Sequence, residues 1–310
     1  MVEILYATDG LPPARAAGEL LRRLADPSRV NVAILFAQDL ADEAMDDSVA
    51  MGLEDAEKAF RGAGIASRVL RMKGDAVICI EKVLADQEFG LIVLGAGNHD
   101  WLGRLAFGSV STHMLHSAPV PVLLVHRTPD PTHERLHVLF GADGSPSAAS
   151  AMDTLAAITE PDRIDLEVRT VVHTPELGFS AHPGAYVPTR YIEDLLATEK
   201  ATAKRHLGET LDRARVMGFT AQGSLGIGWP ANDLLSHAEK KEADLIVVGA
   251  RGLGTMARMT MGSVSAHVAR HAPAALVAHA RDHLVETEEI EEPDGDVSSN
   301  RYAVRWDRRT

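Results

Sequence analysis

Residues 244–280, late in the chain, read DLIVVGARGLGTMARMTMGSVSAHVARHAPAALVAHA and carry the most specific pattern in the sequence. Its apolar run at residues 245–248 predicts a strand that is buried on both faces. The run ends in a glycine-rich loop, where Gly249 and Gly252 are followed after nine residues by Gly262 and Ser263. Helical spacing of apolar residues follows at 264–271. A strand therefore feeds a loop that opens a helix.

This loop has the features of an anion site. Glycine lets the backbone approach a phosphate closely, and a helix start offers unpaired N–H groups. Ser263 adds a hydroxyl donor. The spacing differs from the Walker loop, which needs Gly-Lys-Ser/Thr, and from G-x-G-x-x-G. Glycine spacing alone leaves two alternatives open, a phosphate site and an ordinary strand-to-helix turn.

The chain carries this pattern twice, as tandem architectures do. The repeated pairs are Asp9 with Asp143, 134 residues apart, and, 154 residues apart, Gly74 with Gly228, Gly95 with Gly249, Gly108 with Gly262 and Ser109 with Ser263. The second half thus holds about 20 extra residues, which fall in a loop at residues 173–190 and a long helix at 191–217. The loop is open to three interpretations: a lid, a partner surface or a plain surface excursion.

Apolar strands alternate with amphipathic helices through the first half. Strands are predicted at residues 4–8, 30–37, 65–72, 91–94 and 120–126, and helices at 12–25, 42–60, 76–86 and 110–117. Five strands alternating with four helices predict an α/β fold with a parallel, doubly wound, Rossmann-like sheet in each half. The predicted domains are residues 1–128 and 135–280, joined by the polar link RTPDPTHE. Residues 281–310, acidic and then basic, are predicted to be a disordered tail.

Composition excludes several classes of protein. The chain has 310 residues, 45% of them apolar, and no apolar stretch as long as the 18 or so residues of a membrane span. The N-terminus enters a strand without a signal-peptide pattern, so a cytoplasmic location is expected. A net charge of −13 argues against a nucleic-acid surface. A single cysteine excludes an internal disulfide and a cysteine-based zinc cluster.

The GARG, the GSVS and the following RHAP of this chain resemble the nucleotide-binding signature of the universal stress protein family. The resemblance covers residues 2–128 and 135–280. It implies two tandem domains of the adenine nucleotide alpha hydrolase-like fold. In members that bind ATP, this segment wraps the ribose and the phosphates, whereas other members lack the motif and bind none.

For the second domain, the resemblance implies a set of nucleotide-binding residues. These are Asp143 near the sugar or a bound Mg²⁺, Val171 framing adenine, Gly249, Arg251 and Gly252 along the ribose and phosphate path, and Gly262, Ser263 and Val264 at the outer phosphates. ATP commonly brings Mg²⁺, which needs few protein ligands beside the phosphates. The alternative role of Asp143 is a helix N-cap, and both roles can coexist.

The first domain departs from this pattern. Its corresponding residues are Asp9, Ala37, Gly95, Gly97, Gly108, Ser109 and Val110. Gly97 stands where the signature has arginine, and Asn98 where it has its second glycine. Asn tolerates a left-handed conformation, which favours retention of the loop geometry, but the missing arginine weakens contact with a nucleotide.

Two histidine pairs, His267 with His271 and His113 with His116, have spacings that metal ligands use on helices. No third ligand is evident in the sequence, so a solvated or capping role is favoured for them. No G-x-S-x-G elbow and no HExxH motif occurs in the chain.

Three functions are compatible with these observations. The leading hypothesis is a cytoplasmic universal stress protein that binds ATP, with Mg²⁺, and regulates a stress response. The second is a weak ATPase or self-phosphorylating protein with Ser263 or Ser109 as the acceptor, and the third is a partner-assembly protein without nucleotide. Because the last strand commonly forms an antiparallel subunit contact in this family, residues 120–126 and 274–279 are expected to pair the two domains as an internal pseudo-dimer. A homodimer of the whole chain and the identity of a regulatory partner are left open.

Overall fold

The computed structural model describes residues 1–38, 47–96, 98–99, 105–106, 108–172, 189–253 and 261–280. The first half contains Val2–Ala7 (β1), Pro12–Leu24 (α1), Val30–Gln38 (β2), Asp47–Gly62 (α2), Ala66–Lys73 (β3), Ala76–Asp86 (α3), Leu91–Gly95 (β4), Asn98–His99 (β5), Leu105–Ala106 (β6), Ser109–Ser117 (α4) and Val122–Val125 (β7). Every predicted strand and helix of this half is present, except that residues 42–46 of the helix predicted at 42–60 lie outside the described residues. The short antiparallel β5–β6 pair was not predicted.

The second half repeats the first. It contains Leu136–Gly141 (β8), Pro146–Ile158 (α5), a 3₁₀ turn at Pro161–Arg163, Ile164–Val172 (β9), Thr189–Val216 (α6), Ala221–Ile227 (β10), Pro230–Lys240 (α7), Leu245–Gly249 (β11), Ser263–His271 (α8) and Ala274–Ala278 (β12). The extra length of this half lies partly in α6, which has 28 residues against 16 in α2. Residues 173–188 of the loop predicted at 173–190 lie outside the described residues, and so does the tail predicted at 281–310.

The two halves share one ten-stranded sheet in the order β10-β9-β8-β11-β12-β7-β4-β1-β2-β3. All neighbours in each half are parallel, which confirms the predicted fold class. At the centre, β12 and β7 pair antiparallel, with Ala274 opposite Val125 and Val277 opposite Val122. The predicted internal pairing of the two domains is therefore confirmed.

Burial follows from this topology. The inner strands β4 and β11 are apolar throughout and almost fully buried, as expected when helices cover both faces of a parallel sheet. Alternate residues of β1 separate the two cores, since Ile4 and Tyr6 pack on one side and Leu5 on the other. Each core runs through both halves. None of the described helices is long and apolar enough to cross a bilayer.

Asp244, the first residue of the stretch 244–280, binds the link between the halves through hydrogen bonds. Its buried carboxylate accepts hydrogen bonds from the Asp130 and His137 N–H groups at 3.0 and 2.9 Å. His133 donates to it from Nδ1 at 2.9 Å. Arg23 of α1 donates to the carbonyls of Asp130 and His133. The polar link thus has a fixed path between the last strand of one half and the first strand of the other.

Candidate functional site

The glycine at the end of the fourth strand of each half lets that strand pack against a helix start. A Cβ added at Gly249 would lie 2.5 Å from the backbone nitrogen of Ala148 in α5. One added at Gly95 would lie 2.4 Å from the backbone nitrogen of Ala14 in α1. No side chain fits at such distances, so glycine is required at both positions. The carboxyl ends of β4 and β11 are thereby brought beside the starts of α1 and α5.

Backbone and serine hydrogen bonds then close the second loop. Ala250 donates its N–H to the carbonyl of Ala278 at 2.7 Å. Its own carbonyl accepts from the Gly262 N–H and from the Ser265 hydroxyl, both at 2.7 Å. Ser111, the counterpart of Ser265 in the first half, donates instead to Gly95 O, one residue before the counterpart of Ala250, at 3.1 Å. Sequence reasoning missed this serine, although both halves carry it as the second serine of GSVS.

These contacts frame a cavity of ≈ 490 Å³ at the carboxyl ends of β8, β9 and β11. Seven of the eight residues predicted for the second domain line it: Asp143, Val171, Gly249, Gly252, Gly262, Ser263 and Val264. Arg251 is not part of this lining, although Gly249 before it and Gly252 after it are. The cavity lies at the strand ends of an open parallel sheet, which is where such sheets bind ligands.

Asp143 and Gly252 meet across this cavity. The Oδ1 atom of Asp143 accepts the N–H of Ser145 at 2.9 Å, and a Cβ added at Gly252 would lie 2.8 Å from Oδ2. The structure corrects the N-cap interpretation of Asp143, because the N-cap of α5 is Ser145, whose hydroxyl accepts from Ala148 N at 3.1 Å. Asp143 lies two residues before this N-cap, and it lines the cavity.

Thr170 of β9 contributes a polar group that the sequence did not single out. The residue lines the cavity and is only 3% exposed, and its Oγ1 has no hydrogen-bond partner among the described residues. Leaving a buried hydroxyl without a partner costs about 1–3 kcal/mol. This hydroxyl oxygen is enclosed in the wall of the cavity.

Helix α6 forms one wall through Glu199, Thr202, Ala203 and His206. The imidazole of His206 packs on the backbone of Gly144, where an added Cβ would lie 2.6 Å from Cδ2. The φ of Gly144 is +77°, a conformation that favours glycine. Sequence reasoning missed this wall, because the helical phase shows which residues share a face but not which cavity that face meets.

An ion pair braces the opposite wall. Arg169 of β9 donates from Nη2 to Asp233 Oδ2 at 3.0 Å and from Nη1 to Ser224 at 3.0 Å. Glu167 accepts from Ser224 and His237 at 2.6 and 2.7 Å. Burial raises the pKa of Glu167, but these hydrogen bonds and the His237 charge outweigh burial and leave it below its ordinary value. The wall therefore carries paired charges.

At the equivalent strand ends of the first domain lies a cavity of ≈ 150 Å³, which adjoins a second cavity of ≈ 470 Å³ between α1 and α2. Of its predicted residues, Asp9, Ala37, Gly95 and Val110 line this cavity, whereas Gly108 and Ser109 do not. Gly97 lies outside the described residues. Asp9 Oδ1 accepts the N–H of Leu11 at 2.9 Å and so forms the same turn as Asp143.

Among the described residues, no group of three or more His, Cys, Asp or Glu side chains is arranged to hold a metal ion. His271 Nδ1 contacts the carbonyl of His267 at 2.8 Å, in agreement with the expected capping role. Burial, with the neighbouring charges of His271 and Arg270, lowers the pKa of His267. His113 contacts Glu81 at 2.7 Å. A magnesium ion at Asp143 would have to share its coordination with a ligand's phosphates.

Comparison with known proteins identifies the family. The model of the universal stress protein family matches residues 2–126 and 134–278. Universal stress protein YxiE of Bacillus subtilis is 30% identical over 134 residues, 43% of this chain and 90% of that protein. Universal stress protein Rv2623 of Mycobacterium tuberculosis is 32% identical over 198 residues, 63% of this chain and 62% of that protein, which is less than two thirds of its length. The crystal structure of a universal stress protein from Archaeoglobus fulgidus superimposes with a TM-score of 0.56 at 22% identity, covering 90% of this chain and 98% of that one, which shows the shared fold. Because the family model matches both halves, the chain belongs to the universal stress protein family.

Proposed function

We propose that the second domain binds ATP and that the protein acts in the cytoplasm as a regulatory member of a stress response. The observation that carries this proposal is the ≈ 490 Å³ cavity into which the strand-end glycines, the Asp143 carboxylate and the start of α8 converge. Its size falls within the range of about 300–1,000 Å³ that small-molecule sites occupy.

The phosphates belong at the start of α8. That helix begins at Ser263 after Gly262, without a side-chain cap from any described residue and without an acid in its first turn. Its first amides are therefore available to an anion, and the helix dipole favours negative charge there. Ser263 is exposed at this position and adds its hydroxyl.

The sugar and the metal belong beside Asp143. Mg²⁺ prefers carboxylate and phosphate oxygens, and a bound ion would neutralise charge on the phosphates. Val171 of β9 borders the space for adenine, and Thr170 lines the cavity next to it. Binding couples to regulation if ordering of the loops around the ligand changes the surface that a protein partner recognises.

The test is calorimetric titration of ATP, with and without Mg²⁺, into wild type and Gly252→Val. Any side chain at this position displaces the Asp143 carboxylate, since a Cβ would lie 2.8 Å from its oxygen, and valine also fills the cavity. We expect about one site per chain in wild type and an affinity lowered at least tenfold in the variant.

The matched control is Gly208→Ala in α6, where an added Cβ meets nothing within 4 Å. It should bind as wild type does. Absence of adenine-nucleotide binding by wild type would overturn the proposal, and so would equal binding by Gly252→Val. A stoichiometry of two would show that the first domain also binds.

A further inference from the structure

Trp229 lies at the mouth of the second-domain cavity, next to the end of β9. It lines the cavity and remains 55% exposed. The preceding Gly228, with φ of +128°, donates its N–H to the Val172 carbonyl at 3.0 Å. Trp229 therefore directly follows a residue that is hydrogen-bonded to the end of β9, the strand that contains Val171. The backbone that carries a large aromatic ring is thus held beside the place proposed for the base.

The first domain shows what this position does when it serves the fold alone. Its counterpart at a spacing of 154 residues is Asp75, which caps α3 by accepting the N–H groups of Val77 and Ile78 at 2.8 and 3.2 Å. Trp229 occupies the N-cap position of α7 and provides no side-chain cap. The N-cap residue of α7 therefore provides a partly exposed indole in place of a capping carboxylate. Departures from local structural rules of this kind concentrate at functional sites.

A second exposed apolar side chain faces the same opening. Leu253, one residue beyond Gly252, is 64% exposed and lines the cavity. Large apolar side chains clustered at a cavity mouth mark ligand sites more than solvent-facing surface. The charged pair Arg169–Asp233 lies on the inner wall behind them and is internally neutralised. The outer part of the cavity is thus apolar, whereas the Asp143 and α8 end is polar.

We infer that Trp229 is the stacking platform for the base of the bound nucleotide, with Leu253 on the rim, and that it gives the site a preference for purines. The inference rests on the proposed nucleotide site and adds to it a residue that determines specificity. The indole presents an extended π-face, and stacking increases with the area of the base, so adenine gains more from it than uracil does. The two ends of the cavity then bind different parts of the ligand: the base lies at Trp229 and the phosphates lie at the start of α8.

The experiment compares ATP and UTP binding by calorimetry in wild type, Trp229→Ala and Trp229→Phe. We expect Trp229→Ala to weaken ATP binding by about tenfold and to narrow the preference for ATP over UTP, because base–aromatic stacking is lost. Trp229→Phe keeps a ring and should stay within about threefold of wild type. Ile227→Ala, at a 59% exposed residue of β10 that does not line the cavity, is the matched control and should change neither affinity.

Fluorescence gives an independent readout. The chain has three tryptophans, so Trp101→Phe with Trp306→Phe leaves Trp229 as the single emitter. ATP should quench that emission in proportion to occupancy. If wild type binds no nucleotide, the proposed function and this inference both fail. If wild type binds ATP and Gly252→Val abolishes binding while Trp229→Ala binds as wild type does, the stacking role alone is overturned.

Discussion

The crevices of the two domains share a frame, the backbone arrangement of strands and glycines, but are lined by different side chains. In each half a glycine with positive φ follows the third strand, Gly74 at +133° and Gly228 at +128°. Each donates its N–H to the end of the second strand, at Gln38 O and Val172 O, with distances of 2.9 and 3.0 Å. These bonds involve only backbone, so they persist while the surrounding side chains change.

The side chains that enter the two crevices are not the same. Asp75 caps a helix where Trp229 borders a cavity, and Gly52 of α2 stands at the position of His206. In the first domain a cavity of ≈ 150 Å³ at the strand ends and one of ≈ 470 Å³ beside Gly52 share Thr8, whereas in the second domain one cavity of ≈ 490 Å³ reaches both the strand ends and α6. The strands and glycines therefore specify where a ligand can lie, whereas a few loop and helix side chains decide whether the space is suited to a nucleotide.

The largest expected effect tests the shared frame. Gly95→Ala and Gly249→Ala each place a Cβ within 2.5 Å of a helix backbone atom, which cannot rotate away as a side chain can. We expect each to lower the free energy of unfolding by about 3 kcal/mol, the upper part of the range for overpacking. Urea denaturation measures both. A large loss in one half with none in the other would show that the two frames are not equivalent.

The sequence predicted the frame and only part of the crevice. Apolar runs such as Leu245–Gly249 predict inner strands, because a run of this length between turn residues fits a strand buried on both faces and is short for a helix. Glycine spacing located the loops. Thr170 and His206 escaped detection, since their roles arise from the docking of distant elements. Arg251 was predicted from a motif, but a motif specifies backbone spacing and does not fix where a side chain points.

A smaller effect concerns the contact between the halves. Asp26 is 2% exposed, accepts Ser28 N and Oγ at 2.8 Å and pairs with Arg29 Nε at 2.8 Å. Its N–H donates to Ile158 O across the boundary. The counterpart Glu160 pairs with Arg163 only at 3.7 Å and is more exposed. We expect Asp26→Asn to cost about 2 kcal/mol, because it weakens charged hydrogen bonds, and Glu160→Gln to cost under about 0.5 kcal/mol.

The pH dependence separates the charge of Asp26 from its packing. Burial raises the pKa of Asp26, but the Ser28 hydrogen bonds and the Arg29 charge outweigh burial and hold it below 3.8. A depressed carboxyl pKa contributes stability that is present above about 3.8, the unfolded value, and lost as pH falls through the folded value. The difference between wild type and Asp26→Asn in urea denaturation should therefore persist from about pH 7 to pH 5 and shrink near pH 3. A difference that stays constant at low pH would assign the effect to packing.

The smallest expected effect comes from substituting Asp75 and Trp229, the residues that most distinguish the two crevices. Asp75→Ala removes the cap of α3 and should lower stability by about 1 kcal/mol, or about 2–4 °C in Tm. Trp229→Asp supplies α7 with a side-chain cap at its N-cap residue and should raise Tm by up to about the same amount, because Asp is favoured at an N-cap. The same variant should weaken ATP binding. Thermal unfolding and calorimetry on one sample measure both changes, and a Trp229→Asp protein that is less stable than wild type would show that the indole supports the fold, as a structural residue of the crevice does.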